Sequence, residues 1–377
     1  MKVLFVIQGE GRGHLTQALT LEKILRDNGH EVVGMLVGKS RSRTLPAFFT
    51  ARGKAPVTTF SSPNFVPSKD GCHIGHVKST LYNIVRLPKY ARSMMTIMNA
   101  IFYSSADIVV NFYEIMCSLT YAFFRPTVPE VCIGHQYMFL HPDFTFPKAH
   151  PHSRWWLRFF TRLTALGASR VLALSMSPCT DAADQKLTVV PPLMRDEVKE
   201  ATCQRGDYIT GYILNAGFAE SVRQWHERHP EVRMQFFWDK AGADRATKID
   251  DTLSFHLIDD KAFICSLAGC MAYATTGGFE SVCEAMYMGK PALMVPAHIE
   301  QECNAFDAEQ HGAGTASEEF DLDRLLDFAK DYHTNEAFRQ WEDSASMRII
   351  AILENVSCDG QVNAELTVWR NGLSGMM

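Results

Sequence analysis

The stretch Tyr273-Ala-Thr-Thr-Gly-Gly-Phe-Glu-Ser-Val-Cys-Glu-Ala-Met-Tyr-Met-Gly-Lys-Pro-Ala-Leu-Met-Val-Pro296 decides how the rest of the chain is read. An apolar run ends in Thr275-Thr-Gly-Gly278, and the helix that follows carries Phe279, Val282, Cys283 and Met286 on one face. Gly289 ends this helix, and Ala292–Val295 reads as the next buried strand. Strand, glycine turn, helix and strand in succession make the repeating unit of a parallel α/β sheet. Small residues at Thr276, Gly277 and Gly278 let backbone amides approach a diphosphate, whose charge the helix N-terminus stabilises. Glu280 and Glu284 lie four residues apart on a second face, where like charges cost roughly 0.2–0.5 kcal/mol. Binding the hydroxyl pair of a ribose would offset that cost; a solvated glutamate explains the same residues. In the loop Glu300-Gln-Glu-Cys-Asn-Ala305, Glu300 and Gln301 are placed to read sugar hydroxyls, as any polar loop of this composition would be.

A second glycine turn, Gly9-Glu-Gly-Arg-Gly-His14, joins the apolar strand Val3–Gln8 to a helix over His14–Asn28 with Leu15, Ala18, Leu19, Leu21 and Leu25 as its apolar positions. Its spacing is not the dinucleotide pattern GxGxxG. His14 titrates near neutrality and suits removal of a proton from an acceptor hydroxyl; Glu10 competes for that role, and Arg12 suits an anionic acceptor group. A histidine that merely fixes the turn by donating to backbone is the plainer account.

Further strands are predicted at 31–37, 57–60, 107–111, 128–133, 170–174 and 187–189. Pro191-Pro192 and the polar run to Gly206 then break the pattern. It resumes with strands at 208–214, 232–238, 271–274 and 292–295, helices at 218–228, 260–267 and 278–288, and late helices at 323–330 and 336–354. The predicted division is an acceptor-side domain 1–190, a linker 191–206, a donor domain 207–360, and a segment 361–377 that crosses back to the first domain. No repeat interrupts this order, and the alternation implies sheets covered on both faces.

Composition supports a globular chain of two domains: 377 residues, 46% hydrophobic and 21% charged. The net charge of −5 hides an asymmetry, with 21 Lys/Arg against 11 Asp/Glu in residues 1–190 and 16 against 31 in the remainder. Such halves can attract one another across a cleft. Ten cysteines without a CxxC pair point to reduced thiols rather than a disulfide framework or a metal site. No DxD pair sits in a loop suited to a metal, since Asp321-Leu-Asp323 reads as a helix start. No run reaches the roughly 18 apolar residues of a spanning helix, which makes the cytoplasm the expected compartment.

These motifs resemble the GT-B-fold glycosyltransferases, in the branch akin to the bacterial peptidoglycan N-acetylglucosaminyltransferase and its uncharacterised relatives. The resemblance rests on the glycine loop ending in His14, on Gly277–Ala285 with Gly289-Lys-Pro291, and on Glu300–Ala305. It implies two Rossmann-like doubly wound α/β domains facing across a cleft. It also implies inverting, metal-independent transfer from a nucleoside-diphosphate sugar, UDP-sugar favoured, with no cofactor. Gly277 and Gly278 would hold the diphosphate with Thr276, Glu284 the ribose, and Glu300 and Gln301 the donor sugar, with Glu280 beside them. Ile133-Gly-His-Gln136 makes His135 a candidate acceptor contact, although a histidine braced by backbone explains it too. Glu10 and Arg12 depart from the peptidoglycan enzyme's loop, so the base stays open between His14 and Glu10.

On the acceptor side, Arg154-Trp-Trp-Leu-Arg-Phe-Phe-Thr-Arg162 places arginines along one helical stripe with aromatics around it. Residues 154–166 therefore suit a membrane interface, as do 81–102 if Pro88 divides them. Both helices would serve equally to cover a parallel sheet. The expected acceptor is a glycan or glycolipid of the cell envelope, reached by a cytoplasmic enzyme peripheral on the inner membrane face. A nucleotide-sugar epimerase and a catalytically silent sugar- or nucleotide-binding protein are the competing readings. Nucleic-acid binding is not expected, because the basic residues mingle with aliphatic faces.

Overall fold

The computed structural model describes residues 1–40, 44–63, 83, 86–148, 151–180, 186–213, 217–240 and 242–374, with the backbone alone for 151 and 361–374. In the first part, strands β1 (Lys2–Gln8), β2 (Glu31–Lys39), β3 (Val57–Ser61), β4 (Ile108–Phe112), β5 (Glu130–Gly134), β6 (Arg170–Leu174) and β7 (Leu187–Val190) alternate with helices α1 (Arg12–Asp27), α2 (Ala47–Arg52), α3 (Leu87–Tyr103), α4 (Ile115–Phe124) and α5 (Pro151–Leu163). The strands form one parallel sheet in the order β3-β2-β1-β4-β5-β6-β7. Val3–Ile7 and Ile108–Val110 are buried on both faces, as a helix-covered parallel sheet requires. Gly29, at φ 78°, closes α1 in a left-handed turn.

The first sheet ends at Val190 and the second begins at Tyr208, with α6 (Asp196–Lys199) in the connection. The second comprises β8 (Tyr208–Ile213), β9 (Arg233–Trp238), β10 (Ala246–Lys248), β11 (Leu253–Leu257), β12 (Ala272–Thr275), β13 (Ala292–Met294) and β14 (Gly314–Ala316). Its helices are α7 (Phe218–Arg228), α8 (Asp260–Gly269), α9 (Phe279–Tyr287), α10 (Ile299–Gln310), α11 (Leu322–Phe328), α12 (Glu336–Asp343) and α13 (Ala345–Ser374). The strand order is β10-β11-β9-β8-β12-β13-β14, parallel except for the β10–β11 pair. The fold is thus two Rossmann-like doubly wound α/β units.

Several elements differ from the sequence reading. The edge hairpin β10–β11 and the three-residue β14 lie in polar or short segments with no usable period, and α4 is apolar nearly all round. The helix predicted over 336–354 is two helices, because Ser344 turns back to donate from Oγ to the Trp341 carbonyl at 2.6 Å. Pro88 lies in the first turn of α3, so it starts that helix rather than dividing one; residues 81, 82, 84 and 85 fall outside the described part. The return to the first unit comes earlier than 361. From Ala345 onward α13 packs on β4 and β7, Asn28 donates to Ser346 at 3.4 Å, and His30 lies 3.1 Å from Glu354.

Polar groups are also sealed inside the first unit. Glu130 accepts from Asn111 Nδ2 at 2.7 Å, Glu114 accepts from Ser62 Oγ at 2.7 Å, and burial pushes each carboxyl up to about 7. Between the ordinary value of 4.5 and about 7, the folded chain keeps protons that the unfolded chain has released. Their contribution to stability is therefore full below that window and is lost as pH rises through it, on the order of 3 kcal/mol per group. Urea unfolding should show a midpoint that falls from pH 5 to pH 8. Glu130→Gln should flatten the fall; an undiminished slope in that variant would mean that Glu130 titrates normally.

Candidate active site

In a doubly wound sheet, the carboxyl ends of strands that part in opposite directions leave a crevice for ligand. Here the crevices lie between β1 and β4 and between β8 and β12. The turn Gly9–His14 ends β1, and Thr276–Gly278 ends β12, so each glycine turn sits at a switch point. The turns face each other: a Cβ on Gly13 would come 2.5 Å from Glu280 Oε2. Gly277, at φ 81°, requires glycine for its turn. Gly278 caps α9 without a side-chain hydrogen bond, and Thr276 beside it is buried.

His14 is buried between the two units. Its ring stacks on Tyr113 at 5.8 Å, its Nδ1 lies 3.3 Å from Gln17 Oε1, and its Nε2 lies 3.4 Å from Gln136 Nε2. Burial lowers its pKa and so favours the neutral ring near neutral pH, against an opposing pull from Glu300. Tyr113 ends β4 at φ 59°, a strained conformation for a tyrosine. Gln136 donates from Nε2 to Glu300 Oε1 at 2.9 Å, and Gln17 donates from Nε2 to Glu280 Oε1. Burial raises Glu280 to about 7.

The other predicted residues take different places. Glu10 turns to the end of β2, where both its oxygens meet Ser40, one at its backbone N–H and the other 3.3 Å from its hydroxyl. Its charge is felt by the buried Glu114, which sequence reading missed; the position of Glu114 just after β4, at the switch point, is the signal that topology supplies. Arg12 reaches across the cleft rather than toward an acceptor, donating to Asp260 Oδ1 at 2.6 Å with its guanidinium 4.3 Å from the Phe48 ring centre. His135 does not open onto the cleft. Its ring lies flat on Phe279 at 3.8 Å, and its Nδ1–H donates to the Leu174 carbonyl at 2.8 Å. Gln301 accepts from the Ala297 N–H at 2.9 Å and braces its own loop.

Glu284 is gripped rather than open. Arg195, in the connection between the sheets, donates from Nε and Nη2 to its two oxygens at 2.6 and 3.0 Å. Asp260 Oδ2 stands 3.8 Å from Arg195 and 3.7 Å from Arg52. Beside this network a cavity of about 1250 Å³ opens between the units, bounded by Arg12, Phe48, Arg52, Asp239, Ile258 and Asp260 among others. It lies over the carboxyl ends of β9 and β11. Among the described residues no group of three His, Cys, Asp or Glu side chains is placed to hold a metal.

Two doubly wound units with opposed glycine turns and a cleft at their switch points define a glycosyltransferase of the GT-B fold. The chain belongs to glycosyl transferase family 1, whose family model matches residues 1–332. Membership of this family supports the transferase reading over the epimerase and silent-binder ones. Among solved structures, the glycosyltransferase of kitacinnamycin is similar at 16% identity over 94% of this chain and 98% of its own, with a TM-score of 0.64. UGT2 of Phytolacca americana, complexed with UDP-2-fluoroglucose and pterostilbene, is similar at 16% identity over 95% and 99%, TM-score 0.60. MurG of Acinetobacter baumannii is similar at 15% identity over 94% and 99%, TM-score 0.55. No curated protein sequence matches the chain.

Removing one partner of a buried pair strands the other charge, at a cost of about 3–5 kcal/mol. Arg195→Ala should therefore lower stability in urea by about that much, and Glu284→Gln in the same background should recover most of it. A loss below about 1 kcal/mol would show that water enters beside Glu284.

Proposed function

We propose that this glycosyltransferase moves a sugar, with inversion and without a metal, from a nucleoside diphosphate to a hydroxyl of a lipid-linked or cell-envelope glycan precursor. The reading belongs to the branch akin to the peptidoglycan N-acetylglucosaminyltransferase. It is carried by one observation: His14, buried and neutral, stands where two glycine turns at opposed switch points meet. The uncapped N-terminus of α9 at Gly278 offers its amides to the diphosphate, with Thr276 and Gly277 shaping the turn. The cavity beside Arg52 and Asp260, at the carboxyl ends of β9 and β11, takes the nucleoside, and ribose hydroxyls at Glu284 exchange with the Arg195 fork. Glu300 faces the sugar, on a loop that Gln301 braces through the Ala297 N–H. A uridine carrier is favoured because the Phytolacca enzyme of this fold was solved with a UDP-sugar analogue.

The acceptor side carries a split aromatic helix. On α5, Leu157 and Phe160 pack toward the core, while Trp155, Trp156 and Phe159 stay exposed, Trp155 stacked on Phe159 at 5.4 Å. Phe123 and Phe124 at the end of α4 are exposed as well, and α4 packs on α5. Aromatic rings at headgroup depth with Arg154, Arg158 and Arg162 on the same helix fit an anionic membrane surface on which a lipid-linked acceptor resides. No helix among the described residues is long and apolar enough to cross a membrane.

Calorimetric titration with a panel of nucleoside diphosphates and their sugar conjugates, first without metal and then with magnesium, should show selective metal-free binding of one nucleotide. With that donor, His14→Ala should lower turnover by roughly 10²–10⁴-fold and leave donor affinity within a factor of two or so. Binding of no nucleotide would sink the donor assignment, and unchanged turnover in the variant would remove His14 as base. In flotation assays, vesicles containing phosphatidylglycerol should retain the protein, and Trp155→Ser with Trp156→Ser should release it. Equal recovery of both proteins would place the acceptor contact elsewhere.

A further inference from the structure

We propose that the donor unit sets the base: Glu280 and Glu300 orient the amides of Gln17 and Gln136, and these hold His14 in the one tautomer that can accept a proton at Nε2. The inference rests on the reading of His14 as base and names what makes it one. Near pH 8, above the value of about 7 to which burial raises it, Glu280 is ionised and only accepts hydrogen bonds, so Gln17, donating from Nε2 to it, turns its Oε1 to His14 Nδ1 at 3.3 Å. An amide oxygen also only accepts, so Nδ1 carries the hydrogen. On the other side, Gln136 donates from Nε2 to Glu300 at 2.9 Å and presents the same NH₂ group to His14 Nε2 at 3.4 Å. An NH₂ group only donates, so Nε2 holds a lone pair. Two amides anchored separately thus assign the same tautomer, and rotating either would aim its oxygen at a carboxylate.

The imidazole and both amides lie in the first unit, on α1 and just after β5, whereas both carboxylates lie in the second, on α9 and α10. The base is therefore complete only when the units are together. Tyr113 covers one face of the ring and supplies no acceptor to Nδ1; its hydroxyl pairs with Thr161 Oγ1 at 2.9 Å. Gln17 and Glu280 thereby do what a carboxylate does directly for the histidine of a Ser–His–Asp triad. In the transfer, the acceptor hydroxyl takes the place of the Gln136 NH₂ at Nε2. Its proton passes to Nε2 as its oxygen bonds to the anomeric carbon; the bond from that carbon to the diphosphate oxygen breaks, and the electron pair leaves with the diphosphate. The imidazolium that results donates through Gln17 toward Glu280. Gln17, Gln136, Glu280 and Glu300 are positioning residues in this scheme.

Long-range proton–nitrogen NMR on protein labelled with ¹⁵N-histidine reads the tautomer without any turnover, with His14 assigned by its loss in His14→Asn. The wild type should show Nδ1–H at His14 near pH 8, and Glu280→Gln should give a mixture, since a neutral amide no longer dictates how Gln17 turns. An Nε2–H tautomer in the wild type, or a spectrum unmoved by Glu280→Gln, would overturn the relay even if glycosyl transfer proceeds. In turnover assays Gln17→Glu and Glu280→Gln should each lower kcat about ten- to hundred-fold, within the roughly 10⁴-fold that loss of a tautomer-setting carboxylate costs in a protease triad. The double variant restores a carboxylate facing Nδ1 and an amide facing it, and should return to within a few-fold of wild type; additive losses would refute the coupling. Absence of turnover in the wild type with the tautomer as stated would count against the base assignment and leave the relay standing.

Discussion

The first turns of α1 and α9 meet across the cleft, Gly13 against Glu280, and the site is built around that approach. Each end carries the partial positive charge of unsatisfied amides, so bringing two together is unfavourable unless an anion lies between them. When ionised, Glu280 supplies one, since its carboxylate lies against Gly13 in the first turn of α1 while its own backbone belongs to the first turn of α9. Only a residue without Cβ leaves room for it there. The same electrostatic demand makes the place suited to a diphosphate, which brings more negative charge to the amides than one carboxylate does.

The charge asymmetry of the chain is realised at this seam. Arg12 of the basic half meets Asp260 of the acidic half at 2.6 Å, and Lys23 meets Asp196 at 2.7 Å. The exposed Lys23–Asp196 pair contributes little to stability, roughly 0–1 kcal/mol, while the Arg12–Asp260 pair is partly buried. Their use is orientation: Asp260 of the second unit collects Arg12 and Arg52 of the first and Arg195 of the connection. Arg195 also holds Glu284, so the connection between the sheets is tied directly to the carboxylate expected at the ribose. Apolar contacts complete the seam through the His135–Phe279 stack and through Trp341, whose indole N–H donates to the Ser175 carbonyl at 2.9 Å.

The amino-acid sequence by itself determined the two glycine turns, the strands that precede them and the doubly wound class, because these depend on local steric rules and on the periodicity of apolar residues. It also carried His14, Glu280 and Glu300 as polar residues beside those turns. Residues such as Glu114 and Gln17 were not legible, since a buried carboxylate and a helical glutamine look like ordinary surface residues until topology places them. Only the tertiary structure decided partners: Glu284 with Arg195, His135 beneath Phe279, Arg12 with Asp260, and the last helix returning at Ala345. Each of these contacts joins residues far apart in the chain, such as Arg195 with Glu284, His135 with Phe279 and Arg12 with Asp260. Nothing in local spacing encodes such a distance, because it is set by how two separately folded sheets come to rest against one another.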